Sequence, residues 1–303
     1  MKSLSKPFLH LRFTLAMSLL LVAATASGAP ARQISERLQE VLQMDRPLVI
    51  SHRGYKMAAP ENTIPAFELG ILAQADLIEL DYFHSSDGVP VVFHDRTLDR
   101  TTDVRDLWGE NISVTSRSMA DLRKLDAGSW FSPTFAGVAI PTLEEALDAI
   151  QADSITLIER KHGDAATLIQ LLQEKEMTGE VVVQAFDWNF LADCRALAPD
   201  LPLGALGPPS TRDGQRLTSE ERFLNSGFLD EIEESGAEVV GWNRQVTAKS
   251  IKEAHDRGMK VWVYTINDLE TAMQLLEIGV DGIISDNPPM VWKAIALHNL
   301  KPE

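Results

Sequence analysis

Cysteine is almost absent from this 303-residue sequence, in which Cys194 is the only one. An intrachain disulfide is therefore excluded, and a chain of this length can fold on its hydrophobic core alone. Cys194 shares a helical apolar pattern with Phe190, Leu191 and Leu197, which predicts a core position rather than a reactive thiol.

Positive charge is also scarce. The chain has 28 Lys and Arg against 44 Asp and Glu, a formal net charge of −16. Such an acidic protein is a poor partner for nucleic acid or for an anionic membrane. An anionic substrate would have to be attracted by a local positive site instead of by the field of the whole protein.

Long hydrophobic runs are missing as well. The apolar run Phe13–Ala26 is too short to span a membrane, so a stable membrane anchor is not expected. Basic residues precede the run, and Ala24-Thr25-Ala26 forms a small-residue cleavage pattern, which together predict a secretory signal peptide over residues 1–26. The signal peptide would direct export of the protein to the periplasm or the medium. Its removal would take the net charge from −16 to −19. The alternative is a hydrophobic N-terminal helix of the fold.

The rest of the chain alternates short β-branched runs with helical patterns. No Gly-x-Gly-x-x-Gly follows an early strand, which disfavours an open doubly wound sheet. Eight alternating β and α units predict an α/β fold, a (β/α)₈ TIM barrel, over residues 46–300. The predicted strands are Leu48–Ser51, Leu77–Phe83, Ile155–Glu159, Val181–Gln184, Leu203–Leu206, Val239–Gly241, Val261–Tyr264 and Gly282–Ser285. The helical patterns cover 165–175, 189–197, 219–235, 248–257 and 269–278.

One stretch breaks this alternation. Some fifty residues after Val89–Phe93 contain polar turns and an aromatic loop but no clear barrel strand. A structureless loop of that length is uncommon in a compact domain. We therefore predict a small insertion over about residues 95–140, after the second strand region and above the barrel mouth.

Carboxylates are concentrated at the ends of the predicted strands. Glu79 and Asp81 are two residues apart, so both side chains point to the same face of their strand. Glu159 ends the next major strand at the same mouth. Three acids and no cysteine favour a hard divalent cation, Ca²⁺ or Mg²⁺, over zinc. The alternative is a structural ion-pair network with Arg53 and Lys161.

Two histidines bracket these acids. His52 follows the first predicted strand and His94 follows Val89–Phe93. At one barrel mouth, beside an arginine and a metal site, two histidines are typical of a general acid and a general base. Arg53 could bind a phosphate oxygen as a bidentate donor. His84 and His162 also lie near strand ends, but His84 points away from the face of the acids.

These residues fall within motifs that resemble the glycerophosphodiester phosphodiesterase family, of the exported bacterial type. The resemblance runs in order through nearly all of residues 46–292. The motifs are His52-Arg53-Gly54, Pro60-Glu61-Asn62-Thr63, Glu79-x-Asp81, Asp87-Gly88, His94-Asp95, Arg100-Thr101-Thr102, Leu125 to Phe131, Ile140 to Glu145, Glu159-x-Lys161, Gln184-Ala185-Phe186 and Gly279 to Asp286.

The resemblance implies a TIM barrel with an insertion after the second histidine motif. It implies that His52 and His94 are the catalytic pair and that Arg53 and Lys161 contact phosphate. It implies that one divalent cation is bound by Glu79, Asp81 and Glu159. The expected substrate is a small glycerophosphodiester such as glycerophosphocholine, hydrolysed to glycerol 3-phosphate and an alcohol.

Aromatic residues at the mouth are expected to limit the size of the substrate. Trp130, Phe131 and Phe186 would wall the site and favour a glycerol group over acyl chains. The alternative is that they only attach the insertion to the barrel. Tyr264 departs from the family pattern, since many members have Trp there.

Two rival functions remain open from the sequence. A sphingomyelinase D-type phospholipase would share the barrel, the two histidines and the three acids. The insertion at 95–140 argues against it, as does Glu159-x-Lys161, where that group resembles Asp-x-Lys. A non-catalytic exported binding protein on the same fold would need a broken site, yet every expected polar group is present. The oligomeric state, the choice between water and the substrate's own hydroxyl as attacker, and the roles of the two histidines stay undetermined.

Overall fold

The computed structural model describes residues 34–300, apart from residue 213, so the predicted signal peptide at 1–26 lies outside the described residues. All eight predicted barrel strands are present, and the predicted TIM barrel is confirmed. These strands are β1 (Leu48–Ser51), β2 (Leu77–His84), β4 (Ile155–Arg160), β5 (Val182–Ala185), β6 (Leu203–Gly207), β9 (Val239–Trp242), β10 (Lys260–Tyr264) and β11 (Gly282–Ser285).

The barrel closes because β1 pairs in parallel with both β11 and β2. The remaining neighbours, from β2 through β4, β5, β6, β9 and β10 to β11, are also parallel. A short strand, β3 (Pro90–Val92), adds to β2 in the antiparallel sense. A two-stranded hairpin, β7 (Thr211–Arg212) with β8 (Gln215–Arg216), projects after β6. Parallel strands require crossovers, and the helices provide them.

The helices surround the barrel, and many begin at a side-chain cap, which satisfies the first free N–H groups. Thr142 and Glu145 form the capping box that their spacing predicts. One predicted boundary is wrong: the helix expected over 219–235 begins only at Ser226, because Asn225 caps it through the N–H groups of Gly227 and Phe228. The helices are α1 (Glu36–Leu42), α2 (Ile64–Leu72), α3 (Val104–Leu107), α4 (Met119–Leu122), α5 (Leu143–Gln151), α6 (Ala165–Glu174), α7 (Trp188–Leu197), α8 (Ser226–Glu234), α9 (Ala248–Asp256), α10 (Leu269–Glu277) and α11 (Pro288–Asn299). Over residues 34–300, gap aside, none of them is both long and apolar enough to cross a membrane.

The segment between β3 and α5 has its own short elements. Besides α3 and α4 it contains three 3₁₀ turns, at Leu98–Arg100, Val114–Ser116 and Pro133–Phe135. Its apolar side chains form a separate buried cluster with Phe83, Val91 and Phe93, at the edge of the sheet. This segment is therefore a small packed unit, not a structureless loop.

Alternation along the strands divides the core in two. Val49 and Ile78 face outward into the layer between strands and helices, together with Cys194. Leu48 and Leu77 face inward, where Leu38 of α1 closes the lower end of the lumen. Because side chains alternate along a strand, the inward set continues upward from apolar residues into the polar site.

Candidate active site

The register of the strands brings the acidic residues to one level of the lumen. Glu79 and Asp81 continue the inward-facing series that begins at Leu77. Asp81 is the direct partner of Glu159 across β2 and β4, and Glu159 is the partner of Gln184 across β4 and β5. The carboxyl ends of parallel barrel strands meet at one face, where barrel active sites are built.

The three carboxylates form a compact cluster. One oxygen from each of Glu79, Asp81 and Glu159 can be chosen so that all three lie within 4.8 Å of one another. All three side chains are buried. Burial, followed by the charges of Asp81 and Glu159, raises the pKa of Glu79 well above its ordinary value. Burial and then Asp81 raise the pKa of Glu159 to about 7.

Two cations offset part of this charge. Lys161 lies 3.1 Å from Asp81 Oδ1 and also contacts Glu159. Arg53 Nε lies 3.2 Å from Asp81 Oδ2, and the Arg53 backbone N–H donates to Glu79 Oε2 at 2.7 Å. Burial alone would raise the pKa of Asp81, but Lys161 and Arg53 together hold it well below its usual range.

The cluster fits a hard divalent cation. Oε1 of Glu79 is buried and accepts no hydrogen bond from any residue that the structure describes, and its carboxyl pKa is raised by burial and by the charges of Asp81 and Glu159. Oxygen atoms at this mutual spacing can share one ion, because Ca²⁺ and Mg²⁺ bind oxygen ligands at about 2.0–2.6 Å. Glu79, Asp81 and Glu159 are therefore the residues that could hold a metal.

Both predicted histidines line the cavity above this cluster, and a carboxylate orients each of them. His52 Nδ1 lies 2.6 Å from Asp286 Oδ1, and His94 Nδ1 lies 2.6 Å from Asp95 Oδ1. A carboxylate accepts a hydrogen bond from the Nδ1–H group, so Nε2 of each ring is left to exchange a proton with a ligand. Burial is the main cause that lowers the pKa of both histidines, and the hydrogen bonds to Asp286 and Asp95 act in the opposite direction.

The turn after β1 places Arg53 close to the acids. Arg53 and Gly54 both adopt positive φ, +54° and +76°. The close neighbour of Gly54 is α2, because a Cβ on Gly54 would lie 2.5 Å from the backbone of Ala66. Gly54 therefore lets the turn pack against α2, and Arg53 is fixed by that packing.

A cavity of about 160 Å³ lies at the centre of this arrangement. Drug-sized ligands usually occupy about 300–1,000 Å³, so this site suits a small polar group. Phe186 stands at the rim, with Lys161 Nζ 6.0 Å from its ring centroid. Tyr264 packs edge-on against Phe186 at 6.1 Å between centroids and also lines the cavity.

Residues 52–290 match the family model of the glycerophosphoryl diester phosphodiesterases. The chain belongs to this family. It is accordingly an enzyme of the phosphoric diester hydrolase class.

Relatives of this family resemble the chain over most of its length. It is 29% identical over 300 residues to the glycerophosphodiester phosphodiesterase of Bacillus subtilis (strain 168), an alignment that covers 93% of this chain and 95% of the relative. It is 32% identical over 252 residues to that of Caldanaerobacter subterraneus subsp. tengcongensis, covering 80% and 95%. An Oleispira antarctica phosphodiesterase, solved in complex with the product sn-glycerol-3-phosphate, superposes with a TM-score of 0.71 at 26% identity, covering 83% of this chain and 97% of that structure.

Not every candidate residue reaches the cavity of this phosphodiesterase. Trp130, expected to contact substrate, is not among the residues that line the cavity, within the part of the chain that the structure describes. Its indole N–H donates to Ala127 O at 2.8 Å and its ring packs edge-on against Phe131 at 5.7 Å. These contacts of Trp130 lie within the insertion itself, whereas Phe186 lines the cavity. His84 and His162 line a different groove. For His84, the sequence predicts a side chain that points away from the acids.

The sequence alone predicted no role for the residues that orient the histidines and Asp81. Asp286 and Asp95 hold the histidines, and Asn62 donates to Asp81 Oδ2 at 2.8 Å. Each of them lies inside a motif that resembles the family, which was the available signal. His52 and Asp286 are 234 residues apart in the chain, so spacing alone could not assign their contact, whereas Asp95 directly follows His94.

Glu61 connects the insertion to the turn that carries Arg53. Its buried carboxylate accepts from Arg53 Nη1 at 2.8 Å and from Arg100 Nη1 and Nη2 at 2.8 and 2.6 Å. Arg100 also donates to Asp95 Oδ2 at 2.6 Å, so one network joins Arg53 to the carboxylate that holds His94. Burial raises the pKa of Glu61, but Arg100 and Arg53 outweigh it and hold the pKa at about 2.

This network predicts a specific loss of stability in acid. A carboxyl whose folded pKa lies below its unfolded value stabilises the fold above the unfolded pKa and loses that contribution as the pH falls. For Glu61 the shift from 4.5 to about 2 corresponds to about 3 kcal/mol at neutral pH, lost between pH 4.5 and pH 2. Urea unfolding should show Glu61→Gln strongly destabilised at pH 7, with a smaller difference from wild type at pH 3.

The control is Glu68→Gln, a change at an exposed position of α2. It should unfold as the wild type does at both pH values. An equal destabilisation by Glu61→Gln at pH 7 and pH 3 would show that the carboxylate charge is not what holds the network.

Proposed function

We propose that the protein hydrolyses glycerophosphodiesters such as glycerophosphocholine, with a divalent cation, to glycerol 3-phosphate and an alcohol. The observation that carries the proposal is the pair of carboxylate-held histidines above a buried acidic triad, with Arg53 and Lys161 beside it. The product bound to the Oleispira antarctica relative supports glycerol 3-phosphate as the product here.

The cation would be held by Glu79, Asp81 and Glu159, and we propose Ca²⁺ or Mg²⁺ because all three ligands are hard oxygen donors. When bound, such an ion stabilises negative charge on the phosphoryl oxygens. Arg53 and Lys161 add positive charge on the protein side, where developing charge on phosphate requires it. The side chains of Arg53 and Lys161 are held in place, because both form ion pairs with Asp81.

The histidines would perform the proton transfers. One Nε2 takes the proton of the attacking hydroxyl as the new P–O bond forms, and the other ring, protonated, gives its proton to the leaving alkoxide as the ester bond breaks. Asp286 and Asp95 keep each ring in the tautomer that this exchange needs and stabilise the protonated ring. With water as the attacker, these steps add water across one ester bond. With the substrate's own hydroxyl as the attacker, they give a cyclic phosphate and the alcohol, and water opens the cyclic phosphate in a second step.

Small substrates should be strongly preferred. The 160 Å³ cavity has room for the glycerophosphoryl group but not for acyl chains. With the same metal, kcat/KM for glycerophosphocholine should exceed that for phosphatidylcholine or sphingomyelin by orders of magnitude. Comparable rates on the intact lipids would assign the protein to the sphingomyelinase D-type function instead.

We further propose that residues 1–26 direct export to the periplasm or the medium. The support is the basic start, short apolar run and small-residue cleavage pattern of that segment. Sequencing the N-terminus of the protein from the exported fraction should give Ser27 as the first residue. A retained Met1 would contradict this proposal without affecting the enzymatic one.

A further inference from the structure

A second, open pocket of about 650 Å³ lies at the same end of the barrel as the catalytic cavity. Arg216, Arg222 and Phe223 line it from the segment after β6, and Asn243 and Arg244 line it from the loop after β9. Both loops follow the carboxyl ends of barrel strands, which places them on the catalytic face.

Hydrogen bonds fix the two loops to each other. Trp242 Nε1 donates to Arg222 O at 3.0 Å, and Leu224 N donates to Gln245 O at 2.9 Å. Gln245 Nε2 also donates to Ser219 O. The pocket is therefore a formed feature of this face rather than a gap between two independent loops.

The arginines of this pocket have no carboxylate partner among the residues that the structure describes. Most described arginines do have one, such as Arg212 with Glu231 and Arg257 with Asp230. By contrast, Arg216, Arg222 and Arg244 form no ion pair with residues 34–300, residue 213 aside, and the buried Nε of Arg222 donates to no atom there.

Acidic residues near the pocket are engaged elsewhere. The Glu221 carboxylate accepts from the N–H and hydroxyl of Thr218, both at 2.8 Å. The pKa of Asp268 is lowered first by the N–H of Thr271, with Arg244 as a smaller cause. Three arginines without a carboxylate partner in one pocket form a local concentration of positive charge in a protein of net charge −16. Such a concentration can attract an anion.

Tyr264 links the catalytic cavity to the end of β9, the strand that leads into Asn243 and Arg244 of this pocket. Its ring lines the cavity, and its hydroxyl donates to Gly207 O at 2.8 Å, across the end of β9. The carbonyl oxygen of Arg222 accepts from Trp242 Nε1 at the end of β9. Trp242 is the register partner of Gly207 in β6 and of Val263 in β10, so this part of the pocket is built on the strand ends next to Tyr264.

We propose that Arg216, Arg222 and Arg244 bind a phosphate carried by the head group of the substrate. This inference rests on the proposed function, since it assumes that the glycerophosphoryl group occupies the catalytic cavity. A cavity of 160 Å³ has no room for a large head group, which must extend past the rim. Guanidinium groups bind phosphate oxygens as bidentate donors, whereas a choline cation would be repelled.

The preferred substrate is thus a glycerophosphodiester whose leaving alcohol bears a second phosphate. The test compares kcat/KM for such a substrate, glycerophosphoglycerol phosphate, with that for glycerophosphocholine. In the double variant R216Q/R244Q the ratio of the two values should fall roughly tenfold or more, mainly through KM of the phosphorylated substrate. The wild-type ratio should also decrease with added salt, because these arginines are partly exposed.

The matched control is K249Q/K252Q, which removes two exposed positive charges from α9 and should leave the ratio unchanged. If R216Q/R244Q and this control give the same ratio as the wild type, the inference is overturned while the proposed function stands. An equal loss with both substrates would also overturn it, since the arginines would then have a structural role. Loss of binding to anionic vesicles with an unchanged ratio would assign the arginines to a membrane surface instead. Failure of the wild type to hydrolyse either substrate would refute the proposed function itself.

Discussion

Replacing either His52 or His94 with Ala is expected to lower kcat by roughly 10²–10⁴-fold, the usual contribution of a positioned general acid or base. Both rings line the catalytic cavity, and each has its Nδ1 held by a carboxylate, so that Nε2 is the nitrogen that can transfer a proton. Steady-state kinetics on glycerophosphocholine would measure this loss. Metal content should remain, because neither histidine belongs to the acidic triad.

The two histidines should also act as one unit. The double variant is expected to lose much less than the product of the two single losses, as for residues that serve one step. The wild-type pH–rate profile should be bell-shaped, and each single variant should lose one limb. His162→Ala is the matched control, since this exposed histidine lines a different groove and should leave kcat unchanged. A variant of His52 or His94 that keeps near-normal kcat and both limbs would remove that residue from the mechanism.

Removal of the divalent cation is expected to abolish hydrolysis, and added Ca²⁺ or Mg²⁺ should restore it. The reason is the buried cluster of Glu79, Asp81 and Glu159, in which Lys161 and Arg53 offset only part of the negative charge. Activity after treatment with EDTA and dialysis, followed by titration with each ion, would measure the requirement. Full activity in excess EDTA would contradict the metal proposal.

A substitution within the acidic triad should affect cation binding and the thermal stability of the protein differently. Glu79→Gln is expected to weaken cation binding strongly, because it removes one charged ligand. Without metal, its melting temperature should equal or exceed that of the wild type, since the repulsion from Asp81 and Glu159 is relieved. Glu68→Gln, an exposed change on α2, should alter neither property. A large loss of stability in metal-free Glu79→Gln would show that Glu79 is mainly structural.

The barrel could be predicted because each strand carries its own signal. Runs such as Leu48–Ser51 and Gly282–Ser285 are apolar up to their final serine, as expected of strands buried on both faces, and the structure places strands there. Helix boundaries were harder to predict from the sequence. The pattern at 219–235 continued through Phe223 and Leu224, but the backbone turns before Asn225, whose side chain caps the helix. The apolar periodicity therefore extends beyond the helix, and the cap at Asn225 sets where the helix begins.

The inner residues of the site could be predicted for a related reason. Glu79 and Asp81 have the spacing of one strand face, and the register of β2 with β4 then sets Asp81 beside Glu159. The contacts of the orienting residues could not all be predicted in this way. The contact between His52 and Asp286, for example, joins the residue after the first barrel strand to the residue after the last one. Closure of the barrel creates that contact, and no local pattern encodes it. Trp130 shows the converse, since an aromatic residue in a loop can pack on its own segment.

The most direct test of the central claim is to follow the hydrolysis of glycerophosphocholine by phosphorus NMR, with metal-restored and EDTA-treated wild type. Glycerol 3-phosphate and choline are the expected products with metal, and no reaction is expected without it. Release of glycerol and phosphocholine would contradict the proposed position of cleavage. No hydrolysis with either Ca²⁺ or Mg²⁺ would contradict the assignment of the triad and the two histidines to this reaction.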